Sequence, residues 1–252
     1  MRSADITFVI LTRDEAADIG DSIASLPAGS KILVYDAESS DATRAIAAER
    51  GAQVVVAPWS GFVEARLSAA RLVETTWTFM LDADERLSRA LVDELLAIDE
   101  ADDVSGYSMP RRNVVCGRWI RGAGWWPDRL VRLFRSGRAR LESRAGGLHE
   151  RWRCDGRTQT LRAPIVHLSY PTLAEYRRKF AAYTGIEAGG RRSSLARVAG
   201  AWLLFPIRAA WLYGARGGIL DGWQGAYVSA ASAAYPAVVE TKAWRRSHST
   251  RG

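Results

Sequence analysis

Two aspartates separated by one residue stand out as side chains that could do chemistry. They belong to the run Leu81-Asp82-Ala83-Asp84-Glu85, which ends the apolar stretch Trp77–Leu81. Carboxylates at this spacing can share a divalent cation such as Mg²⁺ or Mn²⁺, because these ions prefer oxygen ligands. Such a cation would bridge the oxygens of a diphosphate and carry the charge that develops on a phosphate leaving group. The alternative is a solvated turn in which Asp84 or Glu85 caps the next helix.

The segments around this run indicate alternating strands and helices. Short apolar stretches rich in β-branched residues predict buried strands, and these are Ile6–Leu11, Lys31–Tyr35, Gln53–Ala57 and Trp77–Leu81. Helical spacing predicts helices between them, at Glu15–Leu26, Ser39–Arg50 and Ala65–Glu74. Such alternation predicts a parallel sheet with helices on both faces, which binds ligands at the carboxyl ends of its strands. Asp36 and Asp82 stand at two such ends.

The pattern changes after a predicted helix at Ser88–Ile98. Short antiparallel strands are expected next, at Val104–Asn113, Arg118–Ile120, Leu130–Phe134 and Ile165–Leu168. An amphipathic helix then follows at Thr172–Ala188, with Thr172 as N-cap, and two more helices divide near Gly214–Gly218. These changes predict a domain boundary near residue 170.

Composition excludes several classes of protein. A chain of 252 residues with 48% hydrophobic and 25% charged residues is neither disordered nor too small for a sizeable core. Cys116 and Cys154 are the two cysteines, so we expect no disulfide framework and a reducing compartment. The first ten residues contain Asp5 and lack the apolar region of a secretory signal. No run of 18 uncharged apolar residues occurs, so we expect no conventional transmembrane helix.

The net charge of +7 is concentrated in the last third of the chain. Residues 170–252 contain twelve basic and four acidic residues, whereas residues 1–169 are almost neutral. This basic region also contains the apolar stretch Val198–Tyr213, whose roughly 24 Å as a helix falls short of the ~30 Å hydrocarbon core. Apolar helices with basic flanks and tryptophans indicate contact with an anionic membrane surface. The alternative is a pair of helices that packs on protein. We expect no nucleic-acid partner, because the sequence contains no recognisable RNA- or DNA-binding motif.

Three ordered motifs resemble the family 2 glycosyltransferases of GT-A fold. They are Val9-Ile10-Leu11-Thr12-Arg13-Asp14-Glu15, Val34-Tyr35-Asp36-Ala37-Glu38-Ser39-Ser40-Asp41-Ala42-Thr43 and Leu81-Asp82-Ala83-Asp84-Glu85. Further runs are similar to the lipopolysaccharide-core β-glucosyltransferase subgroup; they are Trp59-Ser60-Gly61-Phe62, Gly124-Trp125-Trp126-Pro127-Asp128, Arg132-Leu133-Phe134, His149-Glu150 and Leu220-Asp221-Gly222-Trp223-Gln224-Gly225.

The resemblance implies a fold and a domain organisation. The fold would be α/β of the GT-A (Rossmann-like) type, with a mixed, mainly parallel sheet, flanking helices and a C-terminal helical extension. Residues 1–170 would form the catalytic domain, with a nucleotide-sugar half at about 1–100 and an acceptor half at about 101–170. Residues 171–252 would form a basic, amphipathic helical extension associated with the membrane.

The resemblance also implies roles for donor-binding and metal-binding residues. Thr12 and Glu15 would lie against the nucleoside, and Asp36 would hydrogen-bond the base. Asp84 is the best candidate metal ligand, with Asp82 contacting the ribose, the donor sugar or the metal. Arg66 would face the donor, since an arginine suits bidentate contact with a diphosphate. His149 would be a further metal ligand or a phosphate contact.

An inverting transfer also needs a general base and an acceptor site. The base candidates are Glu150, which we favour, and Asp128. Indole faces pack well on sugar C–H surfaces, and basic side chains suit an anionic acceptor, so the predicted acceptor-binding residues are Trp125, Trp126, Arg118 and Arg121. Packing in the core and a solvated basic face are the alternatives for these four residues.

Together these features predict an enzyme that transfers a sugar from a nucleotide-sugar donor, such as a UDP-sugar, with Mg²⁺ or Mn²⁺. The acceptor would be a glycan or a lipid-linked molecule such as lipopolysaccharide core, at the inner face of the cell membrane. One alternative keeps the enzyme class but makes the acceptor a polyprenyl phosphate. The other is a non-catalytic GT-A-like binding module, which Glu38, Leu67 and the basic tail would favour.

Overall fold

The computed structural model describes residues 1–99, 103–143 and 150–249, and these form two compact units. The first unit consists of Met1–Arg111, Asp128–Ser143 and Glu150–His167. The second contains Arg112–Pro127 and the described residues from Leu168 onward. The units therefore differ from the predicted domains chiefly in the segment Arg112–Pro127, which groups with the helical tail.

Twelve strands and seven helices are formed by the described residues. The strands are β1 (Ile6–Thr12), β2 (Lys31–Asp36), β3 (Gln53–Val56), β4 (Trp77–Asp82), β5 (Glu85–Leu87), β6 (Val104–Val115), β7 (Arg118–Trp119), β8 (Asp128–Arg135), β9 (Ala139–Ser143), β10 (Glu150–Cys154), β11 (Arg157–Thr160) and β12 (Ile165–Tyr170). The helices are α1 (Ile19–Ala24), α2 (Thr43–Glu49), α3 (Phe62–Arg71), α4 (Arg89–Leu96), α5 (Leu173–Gly189), α6 (Leu195–Tyr213) and α7 (Gly222–Ser249).

A parallel half-sheet in the order β3-β2-β1-β4 forms the start of the first unit. The apolar residues of β1 and β4 are almost completely buried, which is the expected state of strands covered on both faces. Phe8 and Phe79 pack ring to ring across these two strands, with centroids 5.2 Å apart. The alternation of strands and helices predicted for this region is confirmed, and all four carboxyl ends meet at one edge.

An antiparallel half continues the same sheet, because β8 pairs antiparallel with β4 and β6 pairs antiparallel with β8. The order then runs through β12 to β5, and β11 joins β6. Strands β9 and β10 form a separate antiparallel pair. The predicted mixed, mainly parallel sheet with flanking helices and a C-terminal helical extension is therefore confirmed.

Several elements differ from the sequence predictions. Helix α1 begins at Ile19 instead of Glu15; the amides of Glu15 and Ala16 lie in the preceding loop and donate to the side chains of Thr43 and Asp41. Four strands were not predicted, namely β5, β9, β10 and β11. They are short and rich in charged or polar residues, and every residue of β11 is exposed, so no hydrophobic alternation marks them.

Helices dominate the second unit. Thr172 caps α5 as predicted, since its side chain accepts a hydrogen bond from the Glu175 amide, and Ser194 caps α6 in the same way. A short 3-10 helix at Gly218–Asp221 separates α6 from α7, as the glycine cluster there predicted. Helix α6 has 19 residues and is long and apolar enough to cross a membrane by length and composition, whereas the sequence predicted no conventional transmembrane helix.

Candidate active site

The carboxylate of Asp82, at the carboxyl end of β4, lies between two arginines. Arg66 Nη2, on α3, donates to Asp82 Oδ1 at 2.7 Å, and Arg132 Nη2, on β8, donates to Asp82 Oδ2 at 2.9 Å. Burial by itself would raise the pKa of Asp82, but the two guanidiniums outweigh it and hold that pKa well below its ordinary value. Asp82 is therefore a fixed negative charge that orients both arginines.

Glu85 folds back beneath this strand end and is fully buried. Its Oε2 accepts from the Asp82 amide at 3.0 Å, and its Oε1 accepts from Arg132 Nη2 at 2.6 Å. Arg111 Nη1 approaches the same Oε1 at 3.4 Å. Helix α4 is capped instead by Ser88, whose side chain accepts from the Leu91 amide, so neither Asp84 nor Glu85 acts as the cap considered above.

Glu150 is brought to the same cluster by Arg66. Arg66 Nε donates to Glu150 Oε2 at 2.8 Å, so one guanidinium bridges Glu150 and Asp82. The other oxygen, Glu150 Oε1, is buried and has no hydrogen-bond partner in the described chain. Burial raises the pKa of Glu150, against the lowering effect of Arg66. A buried carboxylate with one uncommitted oxygen and a raised pKa has the properties of a general base.

Asp84, just beyond the end of β4, lies next to His167. His167 Nε2 is 3.3 Å from Asp84 Oδ2, because β12 pairs with β5 and sets His167 opposite Glu85. The predicted ligand His149 lies outside the described residues. Among the described residues, no group of three or more His, Cys, Asp or Glu side chains could hold a metal ion. The Asp84 carboxylate is a ligand that suits Mn²⁺ or Mg²⁺ when oxygens of a diphosphate complete the coordination, and the His167 imidazole is a nitrogen ligand that could join it on Mn²⁺.

Asp128, the other candidate base, is held differently. Arg111 donates to Asp128 Oδ2 through both Nε, at 2.9 Å, and Nη2, at 2.7 Å. Arg111 also faces Glu85, and these two carboxylates raise its pKa despite its burial. Because two guanidinium donors converge on one Asp128 oxygen, this carboxylate is better suited to fixing Arg111 than to accepting a proton.

Two of the predicted nucleoside-binding residues, Thr12 and Asp36, end strands β1 and β2, and the loops that follow these strands are hydrogen-bonded to each other. The carboxylate of Asp36 is buried and accepts hydrogen bonds from the amide and hydroxyl of Ser39. Ser39 Oγ in turn accepts from the Asp14 amide at 2.9 Å, and Thr43 Oγ1 accepts from the Glu15 amide at 2.8 Å. Thr12 Oγ1 is buried without a partner in the described chain. Hydrogen bonds therefore join the first two motifs at the carboxyl ends of β1 and β2. Asp36 accepts hydrogen bonds from the loop that follows β2, and the hydroxyl of Thr12 is left for another partner.

Glu38 lies in the same loop, which follows β2. Its backbone has φ 55°, in the left-handed region that glycine adopts most readily. The Glu38 side chain is exposed rather than buried with Asp36 and Ser39.

The predicted acceptor-binding residues belong to the second unit. Trp125 packs against Tyr170 and its Nε1 donates to Ser232 Oγ at 3.3 Å, while Arg118 Nη2 donates to the Leu220 carbonyl at 3.0 Å. A cluster of stacked side chains lies within Arg112–Pro127: Arg112 and Arg121 lie over the Trp119 ring, 4.4 and 4.8 Å from its centroid, and Trp126 meets that ring edge-on. Trp125 and Arg118 thus have structural contacts, whereas Trp126 and Arg121 contribute to a cationic aromatic cluster.

The sequence did not single out Arg132, Glu85 or His167 as site residues. Arg132 belongs to the run Arg132-Leu133-Phe134, which the sequence linked only to a subgroup resemblance. An arginine between apolar residues of a buried strand is the signal that could have identified it, since a buried charge requires a partner. Arg132 is 5% exposed. For His167, no local signal exists, because its contact with Asp84 depends on the pairing of β12 with β5.

Comparisons with known proteins identify the family and the fold of the chain. The sequence model described as Glycosyl transferase family 2 matches residues 7–181. An uncharacterized glycosyltransferase of Rickettsia felis is 42% identical over 91 residues, which cover 36% of this chain and 32% of that protein. The lipopolysaccharide core biosynthesis glycosyltransferase LpsC of Rhizobium meliloti is 31% identical over 146 residues, covering 53% of this chain and 52% of LpsC. The alignments therefore span about a third to a half of these relatives.

A solved structure extends the likeness to nearly the whole chain. The mannosyltransferase PcManGT of Pyrobaculum calidifontis, solved with GDP-Man and Mn²⁺, matches with a TM-score of 0.55 at 15% identity, covering 95% of this chain and 86% of that one. At this identity the likeness concerns the fold, which is that of the GT-A glycosyltransferases. The family match over residues 7–181, joined to this fold and to the acidic strand end at Asp82, leads to one conclusion: the chain belongs to the family 2 glycosyltransferases.

Proposed function

We propose that this protein is a metal-dependent, inverting glycosyltransferase that uses a nucleotide-sugar donor, expected to be a UDP-sugar. The acceptor would be a glycan or a lipid-linked molecule such as lipopolysaccharide core. The observation that carries this proposal is the bridge made by Arg66 between Asp82 and Glu150. It joins a candidate base to the strand end at which family members are expected to bind the donor.

Glu150 is the proposed base. Its Oε1, which has no partner in the described chain, would take the proton of the acceptor hydroxyl as that oxygen attacks the anomeric carbon. The new bond forms as the bond from the anomeric carbon to the phosphate oxygen breaks, so the electron pair leaves with the nucleoside diphosphate. Arg66, fixed by two carboxylates, would keep Glu150 oriented through this step.

Arg66 is also suited to contact the departing diphosphate. Its Nη1 is buried and unpartnered within the described residues, while Nε and Nη2 are committed to Glu150 and Asp82. A guanidinium with one spare donor direction can place that donor on a phosphate oxygen. Arg66 would therefore stabilise the charge that develops on the leaving group.

Asp84 and His167 are the side chains that would hold the metal. A divalent cation bound there supplies a positive charge to the diphosphate. Asp82 remains a candidate ligand for the ribose, the donor sugar or the metal, through the lone pairs that its two arginines leave unused. Support for a divalent cation comes from the donor set itself and from the Mn²⁺ in the structure of PcManGT.

Residues of the second unit and the two cysteines bear on the acceptor and on the location of the enzyme. The cluster of Arg112, Trp119, Arg121 and Trp126 combines cations with indole faces, which suits a sugar carrying phosphate or carboxylate groups. A lipid-linked acceptor would bring the enzyme to the inner face of the cell membrane. The two free cysteines are compatible with the reducing cytoplasm.

The test is a panel of nucleotide sugars with Mn²⁺ or Mg²⁺, scored for binding, hydrolysis and transfer to lipopolysaccharide-core and polyprenyl-phosphate acceptors. Asp84→Ala should abolish turnover without unfolding the chain. Asp93→Ala, which changes an exposed ion pair of α4, should leave turnover unchanged. Full activity of Asp84→Ala would overturn the metal assignment. Donor binding without hydrolysis or transfer to any acceptor would favour the non-catalytic binding module.

A further inference from the structure

Helix α6 has an apolar face that the described residues of its unit leave uncovered. None of its residues is buried, and its half-buried positions recur every three or four residues in a single stripe. That stripe consists of Val198, Ala201, Phe205, Ala209 and Leu212. Because positions at this spacing share one side of a helix, α6 packs on its unit along one narrow side and leaves the others open.

The side opposite the stripe is as apolar as the stripe. Leu203 is 76% exposed, Ile207 66% and Trp211 52%, and their spacing of four residues aligns them along the helix. A helix on the surface of a water-soluble domain normally turns polar residues outward. An aligned row of large exposed apolar side chains instead marks a surface that binds something apolar.

Charges around this surface identify the kind of partner. Between Glu187 and Asp221 the chain contains no acidic residue but five arginines, namely Arg191, Arg192, Arg197, Arg208 and Arg216. Arg197 and Arg208 are three helical turns apart, so both lie on the same flank of α6. The Arg216 guanidinium lies over the Trp211 ring, 5.3 Å from its centroid. Apolar residues flanked by arginine and tryptophan suit the boundary between acyl chains and anionic headgroups.

The packing of α6 on α7 fixes how the helix would meet a bilayer. Trp202 Nε1 donates to Thr241 Oγ1 at 3.1 Å, and Leu212 packs in the same apolar cluster as Val228, so α6 lies lengthwise against α7. Helix α7 carries Glu240, Lys242, Arg245 and Arg246. If α6 crossed the hydrocarbon core of a membrane, these charged side chains of α7 would enter the core with it, at a large cost in free energy. The helix pair is instead suited to lie in the plane of the surface.

We propose that the second unit binds an anionic lipid bilayer through α6, which lies in the membrane plane with Leu203, Ile207 and Trp211 among the acyl chains and Arg197 and Arg208 at the headgroup phosphates. Leu220 and Trp223, which are 72% and 54% exposed, follow α6 directly and would enlarge the inserted surface. The proposal does not depend on the sugar-transfer reaction.

Charge also favours a bilayer over a second copy of the chain. In a two-fold dimer each partner presents the same patch to the other, so an acid-free, arginine-bearing surface would face its own replica. Like charges would then meet without compensation. Anionic headgroups supply the negative charge that this surface lacks.

The experiment is flotation of the full-length protein with vesicles of phosphatidylcholine alone and with phosphatidylglycerol added. Wild type should float only with the anionic vesicles. Leu203→Ser/Ile207→Ser should weaken partitioning by at least about tenfold, and Arg197→Gln/Arg208→Gln should remove the preference for phosphatidylglycerol. The matched control Leu72→Ser/Leu96→Ser, which changes two exposed leucines of the first unit, should bind as wild type does.

Two results would overturn the proposal. In the first, wild-type protein does not float with anionic vesicles, and analytical ultracentrifugation shows a dimer that Leu203→Ser/Ile207→Ser dissociates. The apolar face of α6 would then bind a second copy of the chain. The other is equal flotation of the α6 variant and the control variant. Quenching of fluorescence by brominated lipids, reduced in Trp211→Phe but not in Trp59→Phe, would support insertion of α6 itself; equal quenching in both variants would contradict it.

Discussion

Arg66 Nε lies 2.8 Å from Glu150 Oε2, which joins two residues that are 84 positions apart in the sequence. The same guanidinium donates to Asp82 at the end of β4. The position of the candidate base is therefore coupled to the acidic strand end through a single side chain. Most of the functional predictions depend on this coupling.

Replacing Glu150 tests the base directly. Glu150→Gln keeps the size of the side chain but removes its ability to accept a proton, so transfer should fall by about a hundred- to ten-thousand-fold. Binding of the donor, measured by calorimetry with the nucleoside diphosphate, should change little. Glu142→Gln is the matched control, because Glu142 is an ion-paired carboxylate on the neighbouring strand β9. Normal transfer by Glu150→Gln would move the assignment to Asp128, for which Asp128→Asn should be measured in parallel.

The pH dependence of transfer should report the pKa of Glu150. Burial raises that pKa, so a larger fraction of Glu150 is protonated and inactive at any given acidic pH. The acid limb of kcat/KM should therefore have its midpoint above 4.5, the ordinary value. Arg66→Met removes a group that lowers the pKa and should move this limb to higher pH, while Arg66→Lys should restore part of the shift. A profile unchanged in Arg66→Met but altered in Arg71→Met, an exposed control on α3, would contradict the coupling.

Mn²⁺ binding should depend on both Asp84 and His167. Asp84→Asn removes a charged oxygen ligand and His167→Gln removes an imidazole, so each should weaken Mn²⁺ binding in the presence of UDP by at least about tenfold. Electron paramagnetic resonance measures free Mn²⁺ directly and does not require turnover. The controls are Asp93→Asn and His248→Gln, both in exposed positions. Unchanged binding in His167→Gln would leave Asp84 without its proposed co-ligand.

Arg132 should matter for stability before it matters for catalysis. It is buried and donates to both Asp82 and Glu85, so Arg132→Met leaves two carboxylates without their shared partner. Removing one member of a buried ion pair costs about 3–5 kcal/mol, and the free energy of unfolding in urea should fall by that order. Arg89→Met, on an exposed pair of α4, should have little effect.

A second variant distinguishes charge imbalance from lost packing at Arg132. Adding Glu85→Gln and Asp82→Asn to Arg132→Met removes the uncompensated charges, so part of the lost stability should return. No recovery in the triple variant would contradict uncompensated charge as the main cause of the loss.

The predictions from the sequence were most accurate where strands are buried on both faces. The apolar runs of β1, β2 and β4 identify them, because any sheet covered by helices selects such residues. Strands such as β9 and β11 escaped prediction, since they are polar and become strands only by pairing with β10 and β6. The start of α1 was also misplaced: Thr43 and Asp41, far along the chain, accept from the amides of Glu15 and Ala16 in the loop before the helix.

The sequence by itself determined which residue types stand at the strand ends, and the resemblance of its motifs identified Asp82, Asp84, Arg66 and Glu150 as candidates. Tertiary structure decided how they are connected: Arg66 to Glu150, Arg132 to Asp82 and Glu85, and Asp84 to His167. It also decided that α6 packs along one stripe and leaves its apolar side uncovered. The physical reason is that local propensity and burial are encoded within a short window of residues, whereas distances between side chains depend on strand order and on pairings between segments remote in the chain.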